Sequence, residues 1–172
     1  MLADGGPHGT RGDITLAATF EETLRKVKIR ELQLSPPLKV QKGTALREAI
    51  SLMQERKQPC LLVLDGEKVA GIFTERDILY KLTAPGKDLS GPVDAVMTAE
   101  PRTLHPEDLA GKAIRLMTEK SYRHIPLADD DGKLLGYVTA RDIIVYIAEN
   151  FPTEVFNLPP VLHQTPMQAE GG

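Results

Sequence analysis

The sequence predicts an α/β (α+β) protein in which two pseudo-symmetric β-α-β-β-α repeats pack sheet to sheet. Three observations predict it. Gly71–Ile78 reads GIFTERDI and Gly136–Ile143 reads GYVTARDI, so Gly, Thr, Arg and Asp return together after 136 − 71 = 65 residues. Within each copy a short alternating strand is followed by apolar residues at helical spacing and then by two apolar strands joined at a hairpin. A three-stranded sheet with two helices on one face is too small to close a core alone, so the copies bury their sheets against each other.

In the first copy Leu38 and Val40 alternate in a short strand, and Ala45, Ala49, Leu52 and Met53 follow on one helical face. Cys60–Leu64 is an apolar strand, the Asp65-Gly66 pair signals a hairpin, and Val69–Phe73 returns before Thr74 opens a second helix. In the second copy Thr103 and Leu104 form the short strand. Pro106, Glu107 and Asp108 open a helix whose apolar face is Leu109, Ala113, Leu116 and Met117. Ile125–Ala128 and Leu134–Val138 make the hairpin, joined by Asp129-Asp130-Asp131-Gly132, a solvated turn that lacks the spaced ligands and closing Glu of a calcium loop. The 65-residue register extends back through Ala45 and Ala110 to Pro36 and Pro101, and it sets Cys60 beside Ile125.

These signals divide the chain into a flexible N-terminus (1–18), a helix and linker (19–35), a first repeat (36–84), a linker and start of the second repeat (85–98), a second repeat (99–149) and a tail (150–172). The early helix is expected from the capping-box form of Thr19-Phe20-Glu21-Glu22 and a stripe of Leu24, Val27 and Leu32. The tail carries Phe151, Val155, Phe156 and Leu158, too apolar for a free linker, and is expected to be partly docked.

Composition narrows the functions. Of the 172 residues 41% are hydrophobic but only 5% aromatic, so the core is aliphatic. A net charge of -3 offers no field for a phosphate backbone, which disfavours nucleic acid. Lys26, Lys28, Arg25 and Arg30 are interleaved with Glu21, Glu22 and Glu31 and read as a solvated face. Cys60 stands alone, and no leader or long apolar run is visible, so cytoplasmic residence without a membrane span is the expectation. His8, His105, His124 and His163 lack metal-ligand spacing, and Arg11-Gly12-Asp13 is read as chance.

The chemistry sits in the repeated Gly-h-x-Thr-x-Arg-Asp. Glycine lets a strand approach a ligand closely, and Thr at the strand-to-helix corner puts a hydroxyl beside the free N–H groups of a helix start, an anion site. Asp three residues on can accept both ribose hydroxyls, and Arg76 or Arg141 can offer a guanidinium to phosphate. Thr-x-x-Asp at a helix start is equally a capping-box variant that needs no ligand.

A β-α-β-β-α unit ending in this motif, present twice over about two-thirds of the chain, resembles the CBS domain. Val96-Met97-Thr98 and His124-Ile125-Pro126 match further elements of that family. The resemblance implies a CBS-pair module with two clefts for AMP, ADP, ATP, S-adenosylmethionine or a related adenosine compound, with no metal required. It marks Thr139, Arg141 and Asp142 as leading site residues, with Thr103 and the segment Arg123, His124, Ile125 and Pro126 against the base. Thr74, Arg76 and Asp77 form the second candidate, whose flanking residues depart from the family pattern. The resemblance also implies a homodimer and an unidentified downstream protein. The rival readings are a structural docking module with empty clefts, and an enzyme, for which no nucleophile–base pair, Walker loop or metal cluster is visible.

Overall fold

The computed structural model describes residues 25–82 and 88–150. Thr19–Glu22, Leu24 and the chain after Asn150 lie outside the described residues. Both repeats form, and the architecture is mixed α+β with two sheets.

In the first repeat β1 (Lys39–Gln41) is followed by α1 (Leu46–Arg56), β2 (Cys60–Asp65), β3 (Lys68–Thr74) and α2 (Glu75–Lys81). The second holds β4 (Thr98–Ala99), α3 (Ala110–Lys120), β5 (His124–Ala128), β6 (Leu134–Thr139) and α4 (Ala140–Asn150). One sheet runs β1-β2-β3-β4, with β1 parallel to β2 and the other pairs antiparallel. The other is the β5-β6 hairpin. Of the expected Thr103-Leu104 strand only a parallel bridge from Leu104 to Leu127 forms, and α3 starts at Ala110, because Pro106–Asp108 turn first.

β2 is buried along its whole length except Asp65, which explains its unbroken apolar run. The β2–β3 loop is Gly66-Glu67, one residue later than the Asp65-Gly66 signal, because Asp65 itself pairs with Lys68. Gly66 takes φ +65°, and the Gln41 side chain both donates to and accepts from its backbone. In the acidic turn Asp129 Oδ1 accepts from the N–H groups of Asp131 and Lys133, tying the loop through its own backbone. The two hairpins meet where Lys68 bridges Lys133, with Val69 N–H donating to Gly132 O and Leu134 N–H to Glu67 O.

The lead-in segments are exchanged between the repeats. Residues 27–32, placed on a helix by the sequence, instead form an extended Lys28 and a short 3-10 turn at Ile29–Glu31. Val27, Ile29 and Leu32 are buried in the core of the second repeat with Ile125, Leu127 and Val138. Ile29 N–H donates to Asp108 O and Ala110 N–H to Val27 O, each at 2.9 Å or less. The mirror set is Val93 N–H to Thr44 O and Leu46 N–H to Gly91 O, with Val93 buried among Leu46, Ala49 and Phe73 of the first repeat. Apolar burial against the partner repeat outweighs helix propensity in so short a segment.

The backbone pairing corrects the repeat register. Cys60 lies opposite Thr74 and His124 opposite Thr139, so Cys60 and His124 are equivalents at 124 − 60 = 64 residues. The bridges Ala45–Pro92 and Lys28–Leu109 keep the same offset, and 65 applies only beyond the hairpin loops, where the second copy carries one extra residue. Cys60 therefore matches His124 rather than Ile125, and Leu61 and Leu62 stand where the second repeat has Ile125 and Pro126.

Candidate functional site

Each motif spans a strand end and a helix start. Thr74 closes β3 in extended backbone, and three residues later Asp77 lies in the first turn of α2. Asp77 Oδ2 accepts from Thr74 N–H at 2.9 Å and Thr74 Oγ1–H at 2.7 Å, while Asp77 N–H donates back to Thr74 Oγ1 at 3.2 Å. At α4 the same three bonds measure 2.7, 2.8 and 3.1 Å between Thr139 and Asp142. Both capping boxes are complete.

What remains is one carboxylate oxygen on each acid, and the two differ. Asp77 Oδ1 is paired with Lys81 Nζ at 2.6 Å. Asp142 Oδ1 faces the Ser35 hydroxyl at 3.4 Å, beyond the usual O–H···O range. Asp142 is only 5% exposed, so this weakly met acceptor sits at a helix start in a largely dehydrated setting. Arg76 and Arg141 are exposed beside their acids, free of the core.

The second repeat gathers more polar groups at this end. His124 is half-buried across the hairpin from Thr139, its ring 5.6 Å from that of Tyr137. Tyr137 O–H reaches Gln58 Oε1 of the first repeat at 3.5 Å. Burial holds the His124 imidazole below its ordinary value and the Arg123 charge adds to this, while the Asp142 and Glu75 carboxylates oppose it. Burial likewise raises the Tyr137 phenol. Ile125 and Pro126 are buried, Ile125 in the second core, and the Pro126 carbonyl accepts from Leu104 N–H, while Thr103 and Arg123 are exposed.

The structure thus brings Thr139, Asp142 and His124 together and adds Ser35, Gln58 and Tyr137, which sequence reasoning missed. Ser35 belongs to the exchanged lead-in, and no local pattern announces a residue that acts on the other repeat. The glycine of the first motif has a different role from the one expected. A Cβ at Gly71 would collide with Met97 Sδ, so the close approach it permits is that of the protein's own exchanged segment. At Gly136 the nearest atoms, from Leu127 and Leu34, lie 3.9 Å away.

Cys60 is buried on β2. Burial first, and then the Glu75 charge, push its thiol up to about 12, so thiolate is scarce at neutral pH. Among the described residues no group of three His, Cys, Asp or Glu gathers to hold a metal, and no helix is long and apolar enough to cross a membrane.

Two β-α-β-β-α units with exchanged lead-ins, each opening its last helix with a Thr-Asp box, define a paired-repeat module. A sequence model of the CBS domain matches residues 29–84 and 93–149, and the chain belongs to that family. A 17.7 kDa protein of Acidianus ambivalens is 30% identical over 117 residues, 67% of this chain and 70% of that one. Two further curated relatives are longer, and the match spans 52% of one and 41% of the other. The CBS domain protein PAE2072 of Pyrobaculum aerophilum, solved in complex with AMP, superposes with TM-score 0.63 at 23% identity, covering 72% of this chain and 99% of that one. The CBS pair of protein MJ0100, solved with 5′-methylthioadenosine and S-adenosylmethionine, gives 0.62 at 24% identity, covering 70% and 98%.

Proposed function

We propose that the chain is a regulatory CBS pair that binds an adenosine nucleotide or S-adenosylmethionine-like ligand at the second repeat and signals to a partner protein in the cytoplasm, without making or breaking bonds. One observation supports the reading: the buried Asp142 keeps an oxygen that its capping box does not use and that, among the described residues, the Ser35 hydroxyl meets at 3.4 Å. A ribose, with two vicinal donors, suits that oxygen. Thr139 and the α4 N-terminus lie beside it, Arg141 is in reach of a phosphate, and His124 with Thr103, Arg123 and the Ile125–Pro126 backbone offers contacts for a base. The AMP and S-adenosylmethionine complexes of like-folded proteins support the ligand class.

A ligand biases the module only through unequal affinity for two arrangements. Ser35 and Asp142 come from different repeats, so a ligand that takes the Asp142 oxygen alters a contact between them. Tyr80 and Ile144 stand 78% and 64% exposed on α2 and α4, which supports a homodimer built through these helices. Gel filtration at micromolar concentration reads it directly, and a monomer with the tail intact refutes it.

The second reading is a structural module with unoccupied clefts, favoured by the completeness of both capping boxes, which gives Thr and Asp a purpose without any ligand. Thermal unfolding with AMP, ADP, ATP and S-adenosylmethionine separates the two. A ligand at a hundred times its Kd stabilises by about 2.7 kcal/mol, a rise in melting temperature of roughly 5–11 °C for a chain of this size. No rise with any of the four leaves the structural module.

A further inference from the structure

The two motifs are alike in sequence and unlike in what occupies them. Lys81, the last residue of α2, lies four residues beyond Asp77 and places Nζ 2.6 Å from Asp77 Oδ1. The same ammonium donates to the Val96 carbonyl at 2.6 Å, on the exchanged lead-in of the second repeat. Asp77 therefore has both oxygens filled, Oδ2 by Thr74 and Oδ1 by Lys81. At the equivalent place, 146 − 81 = 65 residues on, stands Tyr146, packed against the second core and carrying no amine.

We infer that the chain takes one tightly bound adenosine ligand, at the second repeat, because Lys81 fills the first repeat's acceptor from within. The inference rests on the nucleotide reading above. A ribose hydroxyl arriving at Asp142 displaces one neutral hydroxyl held at 3.4 Å, whereas at Asp77 it displaces a short ammonium–carboxylate bond that also secures Val96. The Lys81 side chain is 42% exposed, so water screens part of that pairing, and the handicap is about tenfold in affinity rather than absolute. Lys81 also ties α2 to the lead-in of the second repeat through the Val96 carbonyl.

Isothermal titration of the full chain with AMP tests this. One tight site per chain, with a second weaker by about tenfold or more, is expected for the native protein and for Lys81→Arg, which keeps the charge on Asp77. Lys81→Met, which keeps the stem and removes the amine, is expected to bring the second site to within about threefold of the first. Lys81→Gln serves as the second neutral variant, with circular dichroism confirming the fold of each. Two equivalent sites in the native chain overturn the inference and leave the nucleotide reading standing. A single site in both neutral variants, or weaker binding in them, overturns it by showing that Lys81 does not block or that it holds the phosphate. No binding of AMP, ADP, ATP or S-adenosylmethionine to the native chain sinks both.

Discussion

Replacing Asp142 by Asn separates the two purposes the carboxylate can serve. In the native chain Oδ2 accepts from Thr139 N–H at 2.7 Å and Thr139 Oγ1–H at 2.8 Å, and Oδ1 is left for Ser35 or a ligand. An Asn can turn its carbonyl toward Thr139 and preserve the box with a neutral acceptor. The loss is then the charge assistance of those bonds and the favourable placement of an anion at a helix start, together about 1–2 kcal/mol. The other end becomes an NH2 group, a donor facing ribose hydroxyls that also donate. That removes charge-assisted bonds worth about 1.5–3 kcal/mol to a ligand, a roughly ten- to hundredfold weakening. The assay is titration calorimetry with AMP, beside chemical denaturation to measure the small stability change. Asp77→Asn is the control, expected to lose similar stability with AMP affinity intact. If Asp142→Asn binds AMP within about threefold of the native chain while its fold is retained, the ligand does not use this oxygen and the site is misplaced.

Two further outcomes follow from the packing. Gly71→Ala drives a methyl group into the Met97 side chain and is expected to cost about 1–3 kcal/mol in denaturation, whereas Gly136→Ala, with its nearest neighbours at 3.9 Å, costs less than about 1 kcal/mol; equal losses would refute the close-approach account. His124 is held neutral chiefly by burial, so its folded pKa lies below the unfolded one. The unfolded chain takes up the proton first, and the stability His124 contributes is complete above about pH 6.5 and is lost as pH falls through the folded value. Denaturation midpoints between pH 7.5 and 5 are expected to fall less steeply in His124→Gln than in the native chain, and parallel curves would show that another group titrates.

The sequence made the elements legible wherever the signal was local. β2, β3 and α2 come from an apolar run, a Gly turn and a Thr that caps, all within neighbouring residues, and the structure builds them there. Failures occur where the deciding interaction is remote. Val27 and Leu32 have helical spacing with Leu24, yet they insert into the core of the other repeat, a partner about a hundred residues away that periodicity does not register. The inserted residue in the second hairpin was equally invisible, because the motif itself aligns perfectly at 65 and nothing in the preceding apolar strands resists a one-residue slide. Only backbone pairing, with Cys60 and His124 both opposite the motif threonine, fixes the true offset.

The exchange of lead-ins has a consequence for the site. Ser35, which meets Asp142 Oδ1 at 3.4 Å, precedes the first repeat, while Asp142 opens the last helix of the second, so this contact joins the two extremes of the repeated region. Lys81 and Val96 make the corresponding connection on the other side. Neither contact lies within a single copy. Cutting the chain between the repeats would therefore strip Val27, Ile29 and Leu32 from one core and Val93 from the other, exposing apolar surface in both halves. The two cores are therefore completed only in the pair, and on the proposed function a ligand at Asp142 bears on the contact with Ser35 that joins them.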